Sequence, residues 1–382
     1  MERSIGELGD GAGFTVDARV GGLLQRHGFD AEAFRALRAR LLRGEAGPEA
    51  NRVSGQLEPP AAGDVVELPA LGTPERARLE ALGLEAIGGG QVGAVVLAGG
   101  MATRFGGVVK AEVEALDGAS FLELKVRDAR AVARRAGGRV PVLAMTSFAT
   151  DEAVREAAAR LTTEEAPVRC FGQSISLRLT EDGEPFRDGA GEPSPYAPGH
   201  GDLTSALRSS GELRRFRDAG GRLLFMSNVD NLGATLDPAV LGAHLDAGTD
   251  LTCEVVDKLP GDRGGAPAIV DGKRQIVEAF RFPPTFDQDA IAVFNTNTFV
   301  FDAAAIDRDF ELTWFAVRKT VDGRPAVQFE RLVGELTRAL PCRFLRVERD
   351  GPDGRFQPAK DPAELERRRP RIRELLEARG VI

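Results

Sequence analysis

Val92-Gly93-Ala94-Val95-Val96-Leu97-Ala98 runs without a break into Gly99-Gly100-Met101-Ala102-Thr103-Arg104-Phe105-Gly106-Gly107, and Lys110 follows just beyond. The apolar, β-branched run from Val92 to Ala98, bounded by glycines, reads as a central strand of a parallel sheet. Open parallel sheets bind ligands at the carboxyl ends of their strands, and the glycine loop lies at such an end. Paired glycines let an anion or a flat base approach backbone N–H groups, while Arg104 and Lys110 bring positive charge to the same mouth. This combination points to a nucleotide, with an ordinary glycine turn as the other reading of the loop taken alone. Spacing excludes the two familiar nucleotide loops, because no Gly-Lys-Ser/Thr closes the stretch and no Gly-x-Gly opens it.

Outward from this strand the pattern alternates. Helices are expected over Phe121–Ala136 and Asp151–Leu161, and strands over Val140–Thr146, Val168–Phe171, Leu223–Ser227, Leu251–Val256, Ala268–Ile269 and Ala292–Phe301. Strands alternating with helices imply right-handed βαβ units, hence an α/β Rossmann-like fold with a mostly parallel mixed sheet flanked by helices. Before it, Val20 to Gly44 carries apolar residues at helical spacing, with Asp30 as an N-cap, and Glu45 to Pro69 reads as a connection laid over the surface. After it, Asp361 to Arg379 reads as a charged helix packed by Leu365, Ile372, Leu375 and Leu376, which Pro370 should kink or divide. The expected organisation is an N-terminal helical accessory segment over 1–88, a catalytic domain over 89–349 and a C-terminal helical tail over 350–382.

Composition narrows the partners. The formal net charge of -8 over 382 residues argues against a nucleic-acid or acidic-membrane surface, and favours a small molecule. Cys170, Cys253 and Cys342 are isolated and odd in number, which suits a reducing cytoplasm rather than a disulfide framework or a zinc knuckle. No export signal opens the sequence and no apolar run is long enough to span a bilayer.

Four further segments carry polar chemistry. Leu223-Leu224-Phe225-Met226-Ser227-Asn228-Val229-Asp230-Asn231 is an apolar strand that stops in polar side chains. Asp230 suits Mg²⁺, which binds through one or two carboxylates plus substrate phosphates; the alternative is a turn cap. Tyr196-Ala197-Pro198-Gly199-His200-Gly201-Asp202 exposes a histidine between glycines that could donate to a phosphate or sugar hydroxyl, or serve structure alone. Asn295 and Asn297, in a strand of aromatics and valine, suit sugar hydroxyls or strand-edge packing. Lys319, in a turn-rich segment, reads by itself as a surface lysine, and His27 and His244 read as structural.

Taken together, the Gly99-Gly100 loop, Met145–Glu152, Pro198–Asp202, Ser227–Thr235, Phe294–Asn297 and Arg318–Thr320 resemble, in order and spacing, the UTP–glucose-1-phosphate uridylyltransferases. The resemblance runs from about Val92 to Arg349 and implies a nucleotide-sugar transferase fold acting on UTP and glucose 1-phosphate. It implies that Leu97, Gly99, Gly100, Met145, Gln173 and Gly201 line the uridine site, with Gln173 on the uracil edge. Asn228, Glu278, Asn295 and Asn297 would face glucose, His200 the phosphates, and Asp230 the Mg²⁺. Lys110, Lys258 and Lys319 match lysine-bearing positions, Lys110 and Lys319 being expected, with Arg104, to offset the charge of the reacting phosphates. Two departures stand out. Val108-Val109-Lys110 ends a shorter glycine loop, and Arg104 resembles the Thr-Arg of bacterial sugar nucleotidyltransferases and N-acetylhexosamine pyrophosphorylases. The terminal left-handed β-helix of animal and plant members is not expected here, so expectations about assembly do not carry over. Rival readings are a pyrophosphorylase for N-acetylglucosamine or galactose 1-phosphate and a non-catalytic nucleotide-sugar-binding protein.

Overall fold

A computed structural model describes residues 16–262 and 264–382. Its centre is an eight-stranded sheet built, in chain order, from β1 (Val65–Glu67), β2 (Val92–Leu97), β3 (Val142–Thr146), β4 (Val168–Gly172), β5 (Leu223–Asn228), β6 (Leu251–Asp257), β7 (Val293–Asp302) and β8 (Cys342–Arg346). The spatial order is β1-β8-β6-β7-β5-β2-β3-β4. All neighbouring pairs are parallel except those made by β7, which lies antiparallel between β5 and β6. The sheet is therefore mixed and mostly parallel, as the alternating pattern predicts. β3 starts after Pro141, a residue with no N–H to give the ladder, rather than at Val140.

Apolar residues of both sheet faces are covered. One face packs under helices α1 (Pro74–Gly88), α2 (Phe121–Ala136), α3 (Pro238–Ala247) and α4 (Pro362–Ala378), through Ile87, Leu122, Val126, Val240, Leu241 and Ile372. The other face carries Phe171, Leu207, Leu213, Met226, Phe299, Phe301 and Phe344. A third, smaller cluster joins the N-terminal helices Ala18–Arg26 and Ala31–Leu42 to the hairpin Phe315–Val321/Arg324–Glu330, through Leu24, Phe34, Leu37, Leu179, Val327 and Phe329. Asp30 caps the second of these helices by accepting from the N–H groups of Glu32 and Ala33.

Three expectations need correction. Residues 45–69 are not only a surface connection, because Val65–Glu67 pairs with Phe344–Arg346 at the sheet's edge. So short a strand has no pattern of its own and exists through its partner's hydrogen bonds. Pro370 does not divide the last helix, which runs unbroken from Pro362 to Ala378. Pro370 and Glu366, whose carbonyl lacks a donor, are both exposed, so water can satisfy that carbonyl while Leu365, Ile372, Leu375 and Leu376 hold the helix on the core. Lys319 lies within the strand Phe315–Val321, not in a turn. Among the described residues no helix is long and apolar enough to cross a membrane.

Candidate active site

The carboxyl ends of β2, β3, β4 and β5 come side by side, with Leu97 opposite Met145 and Asn228, and Thr146 opposite Gly172. The loop leaving β2 is tied to β3 twice: Ala98 N–H donates to the Met145 carbonyl at 2.9 Å, and Ser147 Oγ donates to the Gly99 carbonyl at 2.8 Å. Gly99 has a steric reason, since a Cβ there would strike Gln173 Nε2. With glycine in place, the Gln173 carboxamide lies against the loop, and its Oε1 is buried with no hydrogen-bond partner among the described residues. A buried, unsatisfied acceptor is rare and costly, and marks a place where a ligand donor fits. Gly100 looks onto open space. Met145 is itself buried in the core, so it offers the loop its carbonyl rather than its thioether, and Leu97 is half-buried.

The glycine stretch forms a small hairpin, Met101–Ala102 against Val108–Val109, turned by Gly106 and Gly107 at positive φ (88° and 80°). Arg104 sits exposed at its tip with no ion partner among the described residues. The hairpin returns so that Lys110 N–H meets the Gly100 carbonyl at 3.1 Å and Lys110 Nζ donates to Asp230 Oδ2 at 2.6 Å. The structure thus joins the lysine and the metal candidate, which lies just past the end of β5. Asp230 Oδ1 has no donor among the described residues. The chain from Arg355 to Lys360 also returns here: Ala359 N–H donates to the Asp230 carbonyl at 3.3 Å, and Asn231 bridges to Pro358. Lys360, exposed beside this contact, was missed in the sequence, where it stands in an unremarkable polar stretch far from the glycine loop.

A polar cluster lies on the neighbouring strands. Asn297 Nδ2 donates to Asn228 Oδ1 at 2.9 Å, and Asn297 N–H donates to Asn295 Oδ1 at 2.8 Å. Asn297 takes a left-handed backbone, φ 58°, inside β7, where the pairing with β6 shifts between Cys253 and Val255. Such a conformation in a strand is held only by its surroundings and is characteristic of working sites. Asn295 N–H bonds the Gly265 carbonyl at 2.7 Å, and a Cβ on Gly265 would lie 2.9 Å from Glu278 Oε1. Gly265 therefore brings Asn295 and Glu278 to one place. Burial pushes the Glu278 carboxyl up to about 7, Arg281 pulling it back and Glu335 adding to the rise. Lys258 is turned elsewhere, donating to the Gln288 carbonyl (3.0 Å) and Asp289 (3.1 Å) beside a cavity of about 630 Å³.

The loop Gly199–Asp202 packs on Arg331. Gly201 N–H donates to the Arg331 carbonyl at 2.9 Å, and a Cβ on Gly201 would lie 2.5 Å from the Arg331 carbonyl carbon. This packing is a steric reason for glycine at this position. Asp202 accepts from Ser174 N–H, next to Gln173, at 2.9 Å, and pairs with Arg331. Val333 N–H donates to His200 Nδ1 at 3.1 Å, and burial pushes the imidazole down to about 4. His200 is then neutral at pH 7 with its proton on Nε2, a hydrogen-bond donor without charge. Lys319 Nζ lies 3.5 Å from Glu330 and is 47% exposed, with no contact to Lys110 or Asp230. Of the two other histidines, His244 is buried with Nδ1 2.9 Å from Thr252 Oγ1, and His27 caps the first N-terminal helix.

Residues 31–366 match the family model described as UTP--glucose-1-phosphate uridylyltransferase. The chain is 32% identical over 288 residues to the enzyme of that name from Saccharomyces cerevisiae, covering 70% of this chain and 57% of the yeast protein. It is 30% identical over 285 residues to the one from Solanum tuberosum, covering 70% of this chain and 59% of the potato protein. It thus spans less than two thirds of the length of these relatives. In fold it is similar to UDP-glucose pyrophosphorylase from Leishmania major, with a TM-score of 0.70 at 22% identity over 92% of this chain and 79% of that one. It is also similar to uridine diphosphate N-acetylglucosamine pyrophosphorylase from Trypanosoma brucei, with a TM-score of 0.75 at 22% identity over 92% and 78%. The glycine loop, the strand-end cluster and the match over most of its length agree: the chain belongs to the UTP–glucose-1-phosphate uridylyltransferase family.

Proposed function

We propose that the protein transfers a uridylyl group from UTP to glucose 1-phosphate, giving UDP-glucose and pyrophosphate. A phosphate oxygen of glucose 1-phosphate forms a bond to the α-phosphorus of UTP while the bond from that phosphorus to the bridging oxygen breaks, and pyrophosphate leaves with the electron pair. The nucleophile is already an anion, so no general base is needed. What the site must do is hold two polyanions in line and offset their charge.

The single observation that carries this reading is the two-sided Gly99–Gly100 loop. On one side lies the buried, unsatisfied Gln173 Oε1, an acceptor that the imide N–H of uracil would complete. On the other lies the Lys110–Asp230 pair. Asn228, Asn295, Asn297 and Glu278 supply donors and acceptors for sugar hydroxyls, and His200 a neutral donor. Lys319, Lys360 and Arg104 are exposed cations that would bring positive charge to the triphosphate.

The donor set fits Mg²⁺ as a guest shared with substrate. No group of three or more His, Cys, Asp or Glu could hold a metal among the described residues, whereas one carboxylate with a free oxygen, Asp230, suits an ion that takes most of its ligands from phosphates and water. When bound, Mg²⁺ would offset phosphate charge and favour departure of pyrophosphate. The three free cysteines suit a reducing, cytoplasmic setting.

Pyrophosphate release from UTP and Mg²⁺ with a panel of sugar 1-phosphates tests the proposal, run beside folded Asp230→Ala and Lys319→Ala variants. Release with glucose 1-phosphate, lost in both variants, is the expected result. Release only with N-acetylglucosamine or galactose 1-phosphate would move the substrate. Binding of UDP-glucose without release would leave a nucleotide-sugar-binding protein.

A further inference from the structure

Helix α2 carries a lysine on the face turned to the sheet. Lys125 is 5% exposed, and its ammonium donates three hydrogen bonds, to Ser227 Oγ (2.9 Å), the Asn231 carbonyl (2.7 Å) and the Ala234 carbonyl (2.6 Å). Ser227 is in β5 next to Asn228, and the two carbonyls lie on the segment that follows Asp230. One helical turn on, Asp128 Oδ2 accepts from Leu236 N–H at 2.7 Å, so the same helix grips both halves of this segment. The opposite side is held by the returning chain: Asn231 Nδ2 donates to the Arg355 carbonyl (3.2 Å), Gln357 N–H to Asn231 Oδ1 (2.8 Å), and Arg355 Nη2 to the Thr235 carbonyl (2.9 Å).

An ammonium is an expensive way to fill a core. Desolvation opposes it, and apolar residues of similar size often stabilise such a place as well or better. What the ammonium supplies and an apolar side chain cannot is three directed donors. These tie the end of β5, at Ser227, to the carbonyls of Asn231 and Ala234, which lie outside any helix or strand, on either side of the two site residues.

We propose that Lys125 is a positioning residue, whose buried ammonium clamps the segment from Ser227 to Ala234 so that Asn228 and Asp230 meet the substrates in one geometry; its catalytic consequence rests on the uridylyl-transfer reading above. Burial pulls the Lys125 ammonium down to about 8, and Asp128, Asp230 and Glu254 oppose that fall. Nothing in the sequence distinguishes Lys125 from a surface lysine of an amphipathic helix, because its significance depends on where β5 ends.

Amide hydrogen exchange on the nucleotide-free protein, together with steady-state kinetics, tests this in Lys125→Met and Ser227→Ala. Lys125→Met is expected to speed exchange at Val229–Leu236 by about tenfold or more while β2 and β3 keep their protection. It should lower kcat about 10- to 100-fold with the KM for UTP near wild type, as expected when a support behind the site is lost. Ser227→Ala, which keeps the lysine and removes one acceptor, should move both readouts less and in the same direction. Unchanged exchange in the segment would overturn the proposal, as would a kcat loss no larger than the fraction unfolded. Should Lys125→Met fail to fold, Ser227→Ala decides alone. Absence of pyrophosphate release by the wild-type protein would sink the reaction, whereas the exchange comparison judges Lys125 whatever the reaction is.

Discussion

Lys110 and Asp230 meet across 2.6 Å, tying the end of the glycine hairpin to the segment after β5. Their side chains are 20% and 13% exposed, so the attraction is screened less than in a surface ion pair. On the proposed reaction the two charges have other partners once substrates arrive, Lys110 a phosphate and Asp230 a cation. Between turnovers each compensates the other, and neither is left alone in a partly dry cleft.

A double-mutant cycle on this pair should therefore be non-additive. Lys110→Met and Asp230→Asn are each expected to lower kcat about 10²-fold or more, as for the loss of one charge-stabilising group. The double variant should fall short of the product of the two losses, with a coupling of roughly 0.5–3 kcal/mol. Thermal melts should show each single variant less stable than the double, because each leaves one charge unpaired. Additive losses in both kinetics and melting would mean that the pair is a bystander.

The two glycines of the site predict opposite outcomes. At Gly99 an added methyl meets the end of a flexible side chain, Gln173, which can swing away. Gly99→Ala should melt near wild type yet bind UTP more weakly in calorimetric titration, by about tenfold, the discrimination lost with one or two misplaced hydrogen bonds. At Gly201 the methyl meets the Arg331 carbonyl carbon and the Leu332 nitrogen, which are backbone. Gly201→Ala should therefore cost roughly 1–3 kcal/mol of stability. The reverse pattern would show that Gly201, not Gly99, faces the nucleotide.

Much of this is legible in the sequence. Val92–Leu97, Leu223–Asn228 and Val293–Asp302 announce themselves as apolar runs bounded by turn residues, and helices Phe121–Ala136 and Asp151–Leu161 match their expected bounds. The Gly99 loop, Asp230 and the Asn295/Asn297 pair were legible for the same reason: polar residues that interrupt or end a buried strand are visible as interruptions. What sequence hides is juxtaposition. The Lys110–Asp230 contact spans a hairpin and a crossover, and Ala359, with Lys360 next to it, meets Asp230 only because the chain comes back after β8. At Gly201 a close approach of backbone to backbone leaves the same sequence signature as a close approach to a nucleotide, and only the structure shows the Arg331 contact.

Glu278 and His244 set two opposite pH dependences. Burial raises the Glu278 carboxyl from an ordinary 4.5 to about 7, so between those values the folded protein holds a proton that the unfolded chain has lost. As pH climbs from about 4.5 through 7, folding must accept a buried carboxylate, and stability is lost. Glu278→Gln removes this cost: its stability relative to wild type should rise between pH 5 and pH 8. His244 works in the other direction. Burial lowers its imidazole from 6.5 to about 4, so its contribution is complete above pH 6.5 and is lost as pH falls through 4. Urea melts of wild type, Glu278→Gln and His244→Gln at pH 4.5, 6 and 8 separate the two. If Glu278 also accepts from a sugar hydroxyl, Glu278→Gln should raise the KM for glucose 1-phosphate and leave that for UTP unchanged. A stability difference independent of pH would show that Glu278 keeps an ordinary carboxylate environment, and would remove it from the sugar pocket.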